Sequence, residues 1–312
     1  MRNGEFSFYI DNFFVKRVCS INSNIESNSI IFSKKYNSEI ISKIYDCRLC
    51  IIILPESAKN IIPKQIIENN KIIFAENTRL EYAKLMQKIE KENFEETSWT
   101  NIPNSVNSIC GTKSKIAAGA RIGANVVIEN YVKIGENCTI GHGVKILENV
   151  IIGDNVVVKP NAVIGGGGFG VERDQFGRTY KIPHIGGVII GDWVEIGALT
   201  TVCSGTISPT IIGKYTKIDD HVHVGHNVQI KESVLVTACV ELSRAEIGSR
   251  SWIGPNSSVI QGVTLAENSF VGIGSVVTKS VKKDQIVAGN PAQDIDELKK
   301  IRKKLKELID ES

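Results

Sequence analysis

His221, His223 and His226 crowd one short stretch, Ile218-Asp219-Asp220-His221-Val222-His223-Val224-Gly225-His226-Asn227-Val228. Three imidazoles at this spacing could hold a zinc ion that activates water, or one could act alone as a general base. Histidine is suited to the second task because its unperturbed pKa lies close to neutrality. The three alternate between turn and strand positions, which sends their side chains in different directions, so no metal is expected here. Cys47 and Cys50 form a lone Cys-x-x-Cys in a stretch, Asp46 to Leu54, that reads as a buried strand. With seven cysteines, an odd number without framework spacing, free buried thiols in a reducing compartment are expected. Gly165 to Gly168 is glycine-rich, but no helix follows to receive a phosphate; a flexible loop is expected.

The elements that must position these residues are written in a repeat. Ile116, Ile122, Ile128, Ile134, Ile140, Ile146, Ile152, Val158 and Ile164 stand six residues apart, and small or β-branched residues recur four places after most of them. Neither a helix nor an ordinary strand has this period. Each hexad is one short strand and one turn, unable to bury its apolar side alone, so the hexads stack as a parallel β-helix with three per coil. Counting on to 277 gives 24 hexads, about eight coils. The pattern breaks after 164 by a long insertion to about Ile189, after 202 by four residues around Ser208, Pro209 and Thr210, and after 242 by a missing residue. All three breaks fall in the column of hexads at 128, 146, 164, 202, 224, 242, 259 and 277, so one edge of the prism is irregular. Insertions in repeat proteins gather on the binding face. Third positions along this column are Asn130, Glu148, Gly166, Ser204, His226, Arg244, Gln261 and Lys279. His142 has the same hexad position on another column and reads as structural or solvated. At about 4.8 Å between strands, His226 and Lys279 are separated by roughly 14 Å, the reach of an extended pantetheine arm.

Outside the repeat, residues 1–96 alternate apolar runs (Cys50 to Leu54, Lys71 to Ala75) with amphipathic stretches such as Leu80 to Lys91, a small α/β domain. Residues 97–110, polar and with Pro103, read as a linker; the repeat domain occupies 111–285 and a helical tail 286–312. The tail sets Ile295, Leu298, Ile301, Leu305 and Leu308 on one helical face, suited to packing on a sister subunit. A net charge of +3, with the basic residues concentrated in the tail, gives little support for a nucleic-acid footprint. No apolar run reaches the roughly 18 residues of a membrane span, and a cytoplasmic protein is expected.

Ile164-Gly165-Gly166-Gly167-Gly168-Phe169-Gly170, Lys181-Ile182-Pro183-His184-Ile185-Gly186, Ile190 to Ala198 and Ile218 to Val228 resemble the left-handed β-helix N-acyltransferases of the lipid A pathway, which acylate a UDP-linked glucosamine. Asn77-Thr78-Arg79-Leu80-Glu81-Tyr82-Ala83-Lys84 extends the resemblance into the first domain. It implies a mainly β fold, a left-handed parallel β-helix with a small N-terminal α/β domain and a C-terminal helix, assembled as a homotrimer. It also implies His226 as general base and a nucleotide base held between aromatic rings, for which Phe32 and Tyr36 are the nearest matches. Two positions depart from the family: Cys203-Ser204 stands where the family has Asp-Arg, and Val263 where it has a second histidine. Gly272 to Lys279 and Ala288-Gly289-Asn290-Pro291-Ala292 instead resemble the CoA-dependent sugar acetyltransferases of the same fold.

Together these resemblances imply an N-acyltransferase that takes acyl-CoA as co-substrate, with no tightly bound cofactor, and a soluble nucleotide-linked amino sugar. In this the chain resembles the anthrose-pathway type, which acylates the 4-amino group of a dTDP-4-amino-4,6-dideoxyglucose. Expected roles are the Arg244 backbone N–H for the oxyanion, Phe32, Tyr36, Phe169, Tyr180, Lys181, Ser204 and His223 for the acceptor, and Gly274, Lys279, Lys282, Asn290 and Pro291 for CoA. Lys279 and Lys282 could equally stand solvated. Two alternatives stay open: an acyl-carrier-protein-dependent UDP-glucosamine N-acyltransferase of lipid A synthesis, and a β-helix scaffold without turnover.

Overall fold

The computed structural model describes residues 5–10, 13–92 and 96–310 and divides the chain into two units. The first unites Met1–Glu96 with Gly167–Gly187 and Thr206–Ser208; the second holds Thr97–Gly166, Val188–Gly205 and Pro209–Ser312. Both solenoid insertions are therefore counted with the N-terminal domain.

The first unit is a five-stranded sheet in the order β1 (Glu5–Ile10), β2 (Phe13–Cys19), β3 (Ser29–Phe32), β4 (Ile51–Pro55) and β5 (Lys71–Ala75). β1 runs antiparallel to β2, and the remaining pairs are parallel. Side chains alternate across a strand, so a fully apolar strand must be covered on both faces. Ile51 and Ile53 meet α3 (Thr78–Glu92) through Tyr82, Ala83, Met86 and Ile89. Ile52 and Leu54 pack on the other side with Ile40 and Ile44 of α1 (Ser38–Ile44) and Ile66 of α2 (Lys64–Asn69). Asn37 and Asn77 start α1 and α3 by accepting the N–H of Ile40 and Leu80, each at 3.0 Å.

The second unit is the β-helix. Its described strands form three faces of 10, 8 and 10 strands, parallel except for Trp99–Asn101 and Gln293–Asp294, which add antiparallel at the ends of the first and third. The first face contains every hexad of the irregular column, 128 through 277. The aliphatic residue of each hexad points inward and joins one continuous core that runs from Ile102 to Val287. Most corners turn through a residue in the left-handed region three places after the inward residue, such as Asn137, Asn155 and Asn161. Where Ser or Thr replaces the small apolar residue, its hydroxyl caps a turn carbonyl of the next coil: Thr200 to Asp219 O at 2.7 Å, Ser257 to Gly272 O at 2.9 Å.

Three expectations are corrected. Residues 97–110 do not form a linker: Trp99–Asn101 pairs antiparallel with Ile109–Gly111, and Ile109–Cys110 pairs with Val127–Ile128, so the solenoid begins one hexad earlier. Ile286–Ala288 likewise adds a rung to the third face before α4 (Ile295–Asp310), so the tail proper starts near Asp294, which caps the helix at Asp296 N (2.9 Å) and Glu297 N (3.1 Å). The long insertion is built, not a loose loop. Val171–Arg173 and Thr179–Lys181 form an antiparallel hairpin, and Tyr180 and Ile182 pack into the core beneath α3. On α4, Ile295 and Leu298 are half-buried, while Ile301, Leu305 and Leu308 are exposed. No described helix is long and apolar enough to cross a membrane.

Candidate active site

The first face carries the histidines. Thr201, His223 and Glu241 stand in register on three neighbouring strands, with Val202, Val224 and Leu242 beside them turned into the core. His223 Nδ1 lies 2.7 Å from Thr201 Oγ1, and its Nε2 is 3.9 Å from Cys203 Sγ. Burial first, and then the charge of Glu241, push the Cys203 thiol pKa up, so this sulfur stays protonated near neutrality.

His226 is half-buried at the corner where the interruptions occur, with Nδ1 3.0 Å from Asn227 Oδ1. An amide oxygen can only accept, so Nδ1 is the donor in this contact. Asn227 takes a left-handed conformation, φ 62°, and donates its N–H to Thr210 Oγ1 at 2.9 Å. Gln229 Nε2 donates to Pro209 O, also at 2.9 Å. Residues at the end of the interruption after Val202 thus brace the histidine turn in the following coil.

Gly225 shows how closely the next coil approaches. A Cβ there would meet Leu242 O at 2.7 Å and lie 3.7 Å from Arg244 N. Among the described residues no acceptor takes the Arg244 N–H, while its carbonyl accepts from Gly262 N at 3.1 Å. A basic imidazole and a backbone donor one coil apart are the two groups an acyl transfer needs.

The remaining residues named from sequence scatter more. Ser204 is 3% exposed and turns its hydroxyl onto Gly205 O at 3.3 Å, so it offers no open hydroxyl to an acceptor. Lys279 shares the first face with His226; Gly274, Lys282, Asn290 and Pro291 are exposed near the end of the solenoid. Phe169, 92% exposed, Tyr180 and Lys181 belong to the first unit, where Lys181 O accepts from Gln87 Nε2 at 2.6 Å. Phe32 and Tyr36 do not form a sandwich. Phe32 stacks on Tyr82 (centroids 4.5 Å) on the α3 side of the sheet, and Tyr36 packs on the opposite side. The family resemblance pairs the two rings, but β3 ends at Phe32 and Tyr36 lies in the connection to α1, which carries it to the other side of the sheet. Among the described residues no group of three or more His, Cys, Asp or Glu is gathered to hold a metal ion. His142 is structural: its Nδ1 accepts the Ala124 N–H at 2.9 Å.

Four groups escaped the sequence reading: Thr201 and Glu241, which flank His223, and Thr210 and Asn227, which brace His226. The first two could have been found by reading the residue before each inward aliphatic in the irregular column. A further feature of the first unit also went unread. A cleft of about 610 Å³ opens at the carboxyl end of β5, lined by Phe74, Asn77, Lys84, Arg173, Phe176 and Tyr180 among others.

The prism of hexads, with one corner interrupted and a histidine at that corner, defines the hexapeptide-repeat left-handed β-helix class. Family comparison agrees: residues 131–166 match bacterial transferase hexapeptide (six repeats), and 244–279 match the hexapeptide repeat of succinyl-transferase. The chain is similar to a UDP-3-O-acylglucosamine N-acyltransferase of Methylococcus capsulatus, 39% identical over 127 residues, which are 40% of this chain and 36% of the relative. It is similar to another of that name from Coxiella burnetii, 31% identical over 157 residues, 46% of each chain. The match spans less than half the length of either relative. Among solved structures, the Francisella novicida UDP-N-acetylglucosamine acyltransferase aligns with a TM-score of 0.54 at 26% identity, covering 64% of this chain and 72% of that one.

Proposed function

We propose that the protein is an N-acyltransferase that moves an acyl group from acyl-CoA to the amino group of a nucleotide-linked amino sugar, dTDP-4-amino-4,6-dideoxyglucose being the acceptor the sequence favours. What supports this reading is the corner at His226: an imidazole whose Nδ1 meets Asn227 Oδ1, with the Arg244 N–H one coil away, on the edge where every interruption of the repeat falls. The similarity to nucleotide-sugar acyltransferases supports the same chemistry.

In this mechanism His226 Nε2 takes a proton from the acceptor nitrogen as the nitrogen adds to the thioester carbonyl. The Arg244 N–H receives the developing oxyanion. The carbon–sulfur bond then breaks, and the CoA thiolate leaves with the proton returned by His226. Lys279 and Lys282 would meet CoA phosphates, His223 the acceptor, and a homotrimer would set each reacting corner against a neighbouring subunit.

The test is thiol release from acetyl-CoA and 3-hydroxybutyryl-CoA in the presence of dTDP-4-amino-4,6-dideoxyglucose or UDP-glucosamine. Release that requires both substrates is expected, and folded protein silent across the panel would favour a scaffold. A second reading, transfer from acyl carrier protein to a UDP-linked glucosamine in lipid A synthesis, is favoured by the names of the relatives. Acyl carrier protein loaded with a hydroxyacyl chain, offered in place of CoA, separates the two.

A further inference from the structure

Glu241 is the outward residue of its strand, in register with His223 and half-buried on the face that carries both histidines of the site. One carboxylate oxygen accepts from Ser243 Oγ at 3.3 Å. Among the described residues no Lys, Arg or His lies within 4.0 Å of the carboxylate. Several half-buried carboxylates of the solenoid do have such partners: Glu195 meets Lys159 at 3.0 Å, Asp192 meets Lys214 at 2.8 Å, and Glu267 pairs with Arg250. Glu129 and Asp294 are instead held by N–H donors of the chain, from Glu148 at 3.1 Å and Gln285 at 2.9 Å. The charge of Glu241 is felt locally, since after burial it is the cause that raises the neighbouring Cys203 thiol.

A partly desolvated carboxylate is stabilised by a cation at hydrogen-bond distance. Lys and Arg supply that cation at Glu195, Asp192 and Glu267; at Glu241 the described residues supply neither a cation nor an N–H donor, and the position lies three residues along the strand from the register of His226. An amino sugar near neutral pH brings its own cation, an ammonium. We propose that Glu241 is the specificity-determining residue that selects an amine over a hydroxyl acceptor, by taking the acceptor's ammonium in a charge-assisted hydrogen bond. This rests on the acyl-transfer reading for its consequence in turnover, though not for binding.

Pairing with Glu241 favours the ammonium over the free amine, so the carboxylate serves capture and placement, and deprotonation falls to His226. The sequence of events balances. The ammonium gives a first proton to His226 Nε2, which passes it to solvent; as the nitrogen–carbon bond forms the nitrogen gives a second proton to His226, and when the carbon–sulfur bond breaks the thiolate departs with that second proton. A hydroxyl acceptor can also donate to the same carboxylate, but without the charge–charge attraction that the ammonium adds. Removing the charge should therefore be read in the acceptor KM rather than in kcat.

The experiment measures binding and turnover separately on the full chain. Calorimetry without acyl donor compares dTDP-4-amino-4,6-dideoxyglucose with dTDP-6-deoxyglucose, and UDP-glucosamine with UDP-glucose, for the wild type, Glu241→Gln and Glu241→Asp. The wild type should prefer the amine in at least one pair by about tenfold or more, the factor expected of one charge-assisted hydrogen bond. That preference should vanish in Glu241→Gln and return in part in Glu241→Asp, with thermal midpoints unchanged. In turnover, Glu241→Gln should raise the KM of the amino acceptor by a similar factor and leave the acyl-CoA KM within about twofold. An amine preference equal in the wild type and Glu241→Gln, or absent from the wild type, overturns the proposal. A preference that depends on Glu241, with no thiol released from any donor, upholds amine selection and overturns acyl transfer instead.

Discussion

Two kinds of corner meet in one prism. At the corners flanking the third face the chain turns with little variation, using left-handed residues such as Asn137, Asn155, Asn161 and Asn268, and charged pairs such as Asp192 with Lys214 run from coil to coil. At the corner between the first and second faces the chain leaves for a hairpin after Gly166, lengthens before Thr210, and loses a residue at Arg244, whose φ of 33° is the smallest of the left-handed turns. The regular corners satisfy their backbone groups within the repeat. The irregular one leaves the Arg244 N–H without a described partner and sets a histidine beside it. Stacked coils depend on uniform spacing along every face, so departures are tolerated where they serve a ligand.

The contrast is broken most directly at its histidines. His226→Ala should lower kcat by about 10²- to 10⁴-fold with an unchanged thermal midpoint. His142→Ala, at a regular corner, should leave kcat alone; equal losses in a thiol-release assay would erase the distinction. Next in size is the core that both kinds of corner share. Ile218→Ala, fully buried behind the third face, should cost about 2–5 kcal/mol in denaturant unfolding while the surviving folded enzyme keeps its KM values.

Thr210→Val sharpens the comparison, because it removes the acceptor for Asn227 N–H while keeping the shape of the side chain. About 1 kcal/mol of stability should be lost. Turnover should fall as well, by more than in Thr216→Val, the equivalent change at a regular corner, where Thr216 Oγ1 accepts Val234 N–H at 3.3 Å. The smallest effect concerns pH. The hydrogen bond from Lys214, first among the causes, holds the Asp192 carboxyl below the usual aspartate range. Its contribution is therefore complete above the unfolded pKa and is lost as pH falls through the lowered folded value. Because the side chain is about one-third exposed, screening keeps the effect small. The difference in thermal midpoint between the wild type and Asp192→Asn should narrow as pH drops below the aspartate range.

Much of the solenoid was legible because a hexad is a local unit whose inward residue is aliphatic wherever it stacks. The column through 128, 164, 224 and 277 emerged from counting alone, and those strands do share a face. Both ends were missed for a local reason as well. Cys110 fills an inward position with a thiol instead of an aliphatic side chain, and after Val277 the next inward residue, Val281, comes four places on, which shifts Val287 out of the count. Phe32 and Tyr36 are paired only by resemblance to the family, and they cover opposite sides of the first sheet.

The sequence by itself determined the period, the inward residues, the irregular column and the place of His226 on it, since each of these depends on near neighbours along the chain. Only the tertiary structure decided that Thr210 braces Asn227, that Glu241 stands beside His223, and that the long insertion folds as a hairpin with the N-terminal sheet. Those relations join residues 17, 18 and nearly 100 positions apart. They depend on how each coil lands on the one before it and on where an insertion finds apolar surface to cover, and neither is encoded in any one hexad.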